Sequence, residues 1–436
     1  MGGGVLLNDN DTRITRLRRE LHRLRVSPSL RLGSHLTDAI RKPWKAPFLI
    51  ITLPCLMVMI GFELLGWKSQ PPAYATNLSG RPTSKGDCIV MFPTNGVGFG
   101  HFTRMLAVAK RMKKLNADLE IIFFTTMPTL HLLKQYGIPA HHISGPKYFK
   151  GMSSEEWNAL LEEELCICFE THHPSMFLFD GAFPYRGMLR AIQGRNLMRK
   201  IWMRRGTFRK GSSIPIDSIE YFDAVIHPED SVTTTFEQIE HNVEVITCPP
   251  IVMLEPDELL SKEKARSRLG LPQDVIVVYV QLGAGEINDI ESEIRLTLDC
   301  LLLNPAIHVV LGESLIGRRI DIDLPRVHIL RDYPNSMYFN GFDATVQAGG
   351  YNSFHETRTF GLPALFYPNM NTGMDDQLAR CKVAEEEGWG IVIEKRTQKE
   401  ISMGINKLLS IEKEKPPLNN SGSEVLAILL IGEGIE

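Results

Sequence analysis

Cysteine is scarce in this sequence. Seven cysteines occur in 436 residues, at positions 55, 88, 166, 168, 248, 300 and 381, and none falls at the spacing of a zinc site. Most lie in apolar runs, so buried thiols are the expectation, and disulfides are neither demanded nor forbidden. An excess of one charge is missing too. The net charge of −3 gives no reason to expect a nucleic-acid partner. The glycine loop "NGVGFGH", residues 95–101, is followed by no Gly-Lys-Ser/Thr and lacks the G-x-G-x-x-G spacing, which argues against a P-loop and a dinucleotide fingerprint. No internal repeat or low-complexity tract is evident. No metal site is expected either. The Asp321-Ile322-Asp323 triplet precedes a strand rather than following one, and the pairs His141-His142 and His172-His173 read as surface or capping residues.

Long apolar runs are absent, with one exception. Residues 46–67, "APFLIITLPCLMVMIGFELLGW", carry no charge from 46 to 62 and are flanked by Trp44 and Trp67. A bilayer span needs ~17–25 apolar residues, so this run is long enough. It is read as a retained anchor rather than a signal peptide, which would start nearer the N-terminus and end in small residues. The preceding 45 residues hold ten Lys/Arg against four acids. The positive-inside rule therefore predicts a cytosolic tail at 1–45 and a C-terminal part in a lumen or outside the cell, the Golgi or endoplasmic reticulum in a eukaryote. Residues 68–86 read as a stem rich in Pro, Ser, Thr and Gly. Sequons at Asn77 and Asn419 fit glycosylation on the lumenal side.

Beyond the stem, buried-strand runs alternate with helical patterns, and the alternation restarts near residue 272. Between the halves lies "VITCPPIVMLEPDELLS", rich in proline. The expectation is an α/β protein with two Rossmann-like domains facing a cleft, at 87–250 and 251–410, preceded by one transmembrane helix and followed by a tail at 411–436. Ligands of such sheets bind beyond the C-terminal strand ends, so the loops there carry the candidates. After the first strand come Gly98 and Gly100, and then His101, a well-placed general base. Asp180 ends the third strand and is either an orienting carboxylate or a turn cap. Gly283 and Gly285 follow the first strand of the second half, as a backbone cradle or a tight turn. Tyr333 is placed to stack on a base or to sit in a surface turn. In "QAGGYNSFHE", Gly349 and Gly350 let the chain turn into a helix whose first amides suit an anion. Asn352 and Ser353 either join them or cap the helix. Glu356 is repulsive to phosphate and fits ribose hydroxyls, because a carboxylate accepts two hydrogen bonds.

The segment "QAGGYNSFHETRTFGLPALFYP" with "DDQLARC" resembles the donor box of GT-B nucleotide-sugar glycosyltransferases. It is similar to that of the UDP-glycosyltransferases and of the bacterial GlcNAc transferase of peptidoglycan synthesis. "NGVGFGHFTRMLAVAKRM" is similar to their N-terminal Gly-Gly-His loop and helix. Tyr351 stands where the plant-type box has Trp, and Ala348 where it has His. The resemblance implies that Gly349, Gly350, Asn352 and Ser353 hold the diphosphate and Glu356 the ribose, with Tyr333 near the base. It implies that Asp376 and Gln377 read the donor sugar, and that His101 with Asp180 deprotonates an acceptor hydroxyl. The reaction it implies is an inverting, metal-independent transfer from a UDP-sugar, which is a donor substrate and not a cofactor. The acceptor (glycan, lipid or small molecule) is not legible in these residues. An epimerase on the same fold and a non-catalytic membrane adaptor are the alternatives.

Overall fold

Runs such as Cys88–Pro93 are apolar at every position rather than at alternate ones, which suits strands covered on both faces. The computed structural model describes residues 27–65, 88–94, 99–149, 151–204, 218–232, 243–283, 290–315, 319, 321–371, 375–413 and 421–432. The chain divides into two units, Met1–Pro82 with Phe169–His172, and Thr83–Cys168 with His173–Glu436. Gly98, Gly285, Asn77, Asn419, the 68–86 stem and the basic stretch of residues 13–25 lie outside the described residues.

In the first unit, α1 (Pro28–Arg41) begins with the Ser27 hydroxyl accepting from the Leu30 N–H, and Pro28 occupies its first turn. A 3-10 turn (Pro43–Phe48) leads into α2 (Leu49–Leu64). Pro43–Leu64 spans 22 residues and is long and apolar enough to cross a bilayer. Glu63, which interrupts the apolar run, sits 2.5 Å from the Arg31 guanidinium. His35 Nε2 lies 2.8 Å from Thr52 Oγ1 and ties α1 to α2.

In the second unit, the N-terminal half runs β1 (Cys88–Pro93), α3 (Gly100–Leu115), β2 (Glu120–Thr125), α4 (His131–Lys134), β3 (Ala140–His142), α5 (Ser154–His172), β4 (Met176–Asp180), α6 (Arg186–Ile192), β5 (Arg199–Met203), β6 (Ala224–Pro228) and β7 (Glu244–Cys248). Its seven strands are parallel, in the order β3-β2-β1-β4-β5-β6-β7. Pro249 and Pro250 then lead to the C-terminal half. That half holds α7 (Lys262–Arg268), β8 (Ile276–Gln281), α8 (Ile290–Leu302), β9 (Ile307–Gly312), β10 (Val327–Leu330), β11 (Ala344–Ala348), α9 (Tyr351–Thr359), β12 (Ala364–Tyr367), α10 (Gln377–Glu386), β13 (Gly390–Val392) and α11 (Gln398–Leu408). Its six parallel strands are ordered β10-β9-β8-β11-β12-β13. In each half the order reverses beside the first strand, between β1 and β4 and between β8 and β11. A crevice opens at each such switch point.

The C-terminal segment departs from the expected tail. Residues Gly422–Gly432 form α12, which packs on α3 of the N-terminal half and buries Leu426, Ala427 and Leu430 with Met105, Leu106 and Met112. The segment "KEISMGINKLL" also forms a helix. That helix is α11, and it packs on α8 within its own half. Covered by α12 as well as by its own sheet, α3 is buried nearly all round, including Arg104 and Arg111.

Candidate active site

Strands β1 and β4 are neighbours, with Pro93 paired to Asp180 in register. The start of α3, which follows β1, therefore lies beside the end of β4. His101, in the first turn of α3, places Nδ1 2.7 Å from Asp180 Oδ1. Asp180 is fully buried. Burial alone would raise its carboxyl, but the charges and hydrogen bonds of Arg104 and His101 outweigh it and hold the group below the usual carboxylate range. Arg104 Nε donates to Oδ2 at 3.1 Å and Nη2 to Oδ1 at 2.7 Å. Of the two readings of Asp180, the side chain orients His101 rather than capping a turn.

Across from His101, β11 ends at Ala348 and the chain enters α9 through two glycines with different uses. Gly350 is the N-cap residue, and no side chain caps the helix. Its first-turn amides are thus not claimed by Asn352 or Ser353, so the capping alternative for these two residues falls. Gly349 lies beneath this turn. A Cβ there would overlap the Cys381 thiol and stand 3.2 Å from Gln377 Cβ, and the Gly349 carbonyl accepts from Arg380 Nη1 at 2.9 Å. This close packing against α10 leaves no room for a side chain at position 349.

A cavity of about 470 Å³ joins these elements. Its walls include Gly100 and His101 from the N-terminal half, and Gly283, Tyr333, Gly350, Asn352, Ser353, Glu356 and Gln377 from the C-terminal half. Gly283 has φ of +104°, a conformation that side-chain-bearing residues rarely adopt. Asn352 Nδ2 donates to the Gly100 carbonyl at 3.2 Å, while its Oδ1 is buried without a hydrogen-bond partner. Glu356 accepts from Ser336 Oγ at 3.1 Å, and removal from water pushes its carboxyl up to about 7. Tyr333 lines the cavity. Its hydroxyl lies 3.0 Å from Thr103 Oγ1, and its ring tilts against Phe99 at 5.7 Å. Burial pushes that hydroxyl well above its ordinary value.

Of the acidic-Gln pair, Gln377 lines the cavity and Asp376 does not. Asp376 is the N-cap of α10 and accepts from the Ala379 N–H at 3.1 Å, so its carboxylate is spent on the helix. Asp375 and Gln377 line the cavity instead. Gln377 Oε1 is held by the Asn369 N–H at 2.9 Å, and Asp375 by Arg380 at 2.6 Å.

Beneath the α9 turn lies an ionic cluster that sequence reasoning missed. Arg380, fully buried, donates from Nε and Nη2 to Asp230 in the loop after β6, at 2.7–3.0 Å. His355 Nε2 lies 3.1 Å from the same carboxylate. Burial opposes ionisation of Asp230, but His355 and Arg380 hold it far below the normal range. Tyr351 has the guanidinium carbons of Arg104 and Arg380 at 5.3 and 5.8 Å from its ring centre, and it donates to the Glu229 carbonyl at 2.8 Å. The two halves are joined here by groups 125 and 150 residues apart in sequence. Only the types of residue, not their pairing, were visible in the chain.

Two parallel Rossmann-like sheets whose switch points open on one cavity define the GT-B glycosyltransferase fold, and this chain has it. The solved glycotransferase of kitacinnamycin is 14% identical, covering 80% of this chain and 100% of its own, with a TM-score of 0.56. Medicago truncatula UGT71G1, complexed with UDP-glucose, is 14% identical over 80% of this chain and 98% of its own, with a TM-score of 0.53. An uncharacterised glycosyltransferase of Methanopyrus kandleri is 24% identical over 220 residues, 49% of this chain and 61% of that relative. The chain thus spans under two thirds of that curated relative's length. No protein-family model matches the chain.

Proposed function

We propose that this protein is a membrane-anchored glycosyltransferase that moves a sugar from a UDP-sugar to an acceptor hydroxyl with inversion at the anomeric carbon. The observation that carries the reading is the pairing of His101 with buried Asp180 on one wall of a cavity whose opposite wall holds the uncapped start of α9 and Glu356. In this mechanism Nδ1–H donates to Asp180, so Nε2 keeps a lone pair for the acceptor proton. The acceptor oxygen bonds the anomeric carbon as the bond to the diphosphate breaks, and the electron pair leaves with UDP. The α9 amides and helix dipole receive that charge, so the step calls for no metal. Asn352 Oδ1 and the Glu356 carboxylate are acceptors suited to hydroxyl groups of the nucleoside and sugar.

We place the cytosolic side at the basic N-terminus and the cavity on the opposite side of the membrane, supported by the charge asymmetry around Pro43–Leu64. Alkaline carbonate washing of membranes tests the anchor. The full chain should stay in the pellet, and its release would remove the anchor from the account. The catalytic reading is tested with the full chain in detergent, by reading nucleoside diphosphate release across UDP- and GDP-sugars with a membrane extract as the acceptor source. Release from UDP-sugars is expected. No release from any of these sugars would refute the reading, and a changed sugar without net release would mark an epimerase.

A further inference from the structure

His101 and Asp180 are not alone. Arg104, one turn along α3 from His101 and 2% exposed, reaches both oxygens of Asp180 and also brings Nη2 within 2.8 Å of His101 Nδ1. A guanidinium has only donors, and at any ordinary pH it stays charged. It therefore does two things to the pair. It neutralises most of the carboxylate that would otherwise favour the imidazolium, and it sets its own positive charge against the same ring nitrogen. Both effects favour the neutral ring over the protonated one. The fork on both carboxylate oxygens also fixes the plane of Asp180, and with it the direction in which the ring faces the cavity.

Arg104 is itself held in place. Its guanidinium lies against Tyr351 of α9, 5.3 Å from the ring centre, and the same ring has Arg380, which binds the Gly349 carbonyl, at 5.8 Å. The arginine next to the base is thus in contact with the turn that opens the donor wall. Asp180 on β4 and Arg104 on α3 stand 2.7 and 2.8 Å from His101 Nδ1, and Glu356 of α9 lines the same cavity. The other acids of the cavity wall each have an arginine: Glu293 has Arg396, Glu313 has Arg331, Asp332 has Arg268 and Asp375 has Arg380.

We propose that Arg104 is a positioning residue for His101, which clamps Asp180 and keeps the imidazole neutral and aimed into the cavity before the acceptor arrives. This rests on the reading of His101 as the base, but its test does not need turnover. Diethyl pyrocarbonate attacks the unprotonated imidazole, so its rate of modification of His101, followed by peptide mass spectrometry as a function of pH, reports the ring's protonation. In the full chain, Arg104→Gln should move that midpoint up by about one to two pH units. Arg104→Lys keeps the charge and loses the fork. It should leave the midpoint within about half a unit of wild type, while the turnover rate falls and KM for the donor holds.

A midpoint that does not move in folded Arg104→Gln overturns the proposal. So does an upward shift of about one pH unit or more in Arg104→Lys, which also decides the matter if the glutamine variant does not fold. If the wild type releases no nucleotide from any donor, the catalytic reading fails, while the modification profile still reports on Arg104.

Discussion

Glu356→Gln separates what a carboxylate does for the fold from what it does for a ligand. The Glu356 carboxyl is raised from 4.5 to about 7 by burial in the cavity wall, against hydrogen bonds from Ser336 and the Met253 backbone. Each tenfold change in acidity is worth ~1.4 kcal/mol, so the ionised group costs the ligand-free protein about 3 kcal/mol once the pH is well above 7. The sign follows from linkage. Below pH 4.5 the group is protonated in both the folded and the unfolded chain, and it contributes nothing. Between 4.5 and 7 the folded chain holds the proton more tightly, so stability falls as pH rises, and above 7 the whole cost is present. An amide of the same shape carries no such cost. The variant should therefore match wild type near pH 4.5 and exceed it by about 2–3 kcal/mol at pH 8, as urea unfolding of the full chain in detergent would show. The same change should weaken UDP binding by about 10- to 100-fold, because a charged acceptor for two hydroxyls is lost. A stability difference that is the same at both pH values would refute the burial argument. Unchanged UDP affinity would remove Glu356 from the nucleotide site.

Other perturbations reach different parts of the account. Arg380→Met takes the guanidinium away from the buried Asp230 carboxylate, whose other partners include His355 and the Ser231 N–H. It should destabilise the protein by about 3–5 kcal/mol in urea unfolding, and a loss under 1 kcal/mol would show that the cluster does not hold the halves. Leu426→Ala opens a hole where α12 covers α3, since Leu426 is fully buried. A loss of about 2–5 kcal/mol is expected, and no loss would detach α12 from the core.

Much of this architecture is legible in the chain. Strands such as Cys88–Pro93 and Ile276–Gln281 are short apolar runs bounded by loop residues, and a parallel sheet covered on both faces needs that composition. His101 and Asp180 were findable because both follow strands that the sheet order makes neighbours. The rest depends on distances that no local pattern records. Gly349 and Gly350 look alike in sequence, yet one packs under α10 and the other opens the cavity, because only the first lies against Cys381 and Gln377. Asp375 and Asp376 are equally alike, and the start of α10 decides between them by taking the second as its cap. The burial of Arg104 has no local signal, because α12, an 11-residue apolar segment from the far end of the chain, packs on the helix that carries it. Its partner Asp180 lies 76 residues away. Where the plant-type box would have His, this chain has Ala348 in the cavity wall, and neighbouring Asn352 offers a free acceptor rather than a replacement donor.

The central claim is that one half supplies a base and the other a donor site. His101→Ala tests it most directly, with UDP affinity and single-turnover transfer measured on the same preparation. The account predicts that UDP binding is retained within about twofold, while transfer falls by at least about 100-fold, the contribution of a general base. Transfer at near wild-type rate, or loss of UDP binding in step with transfer, would contradict it.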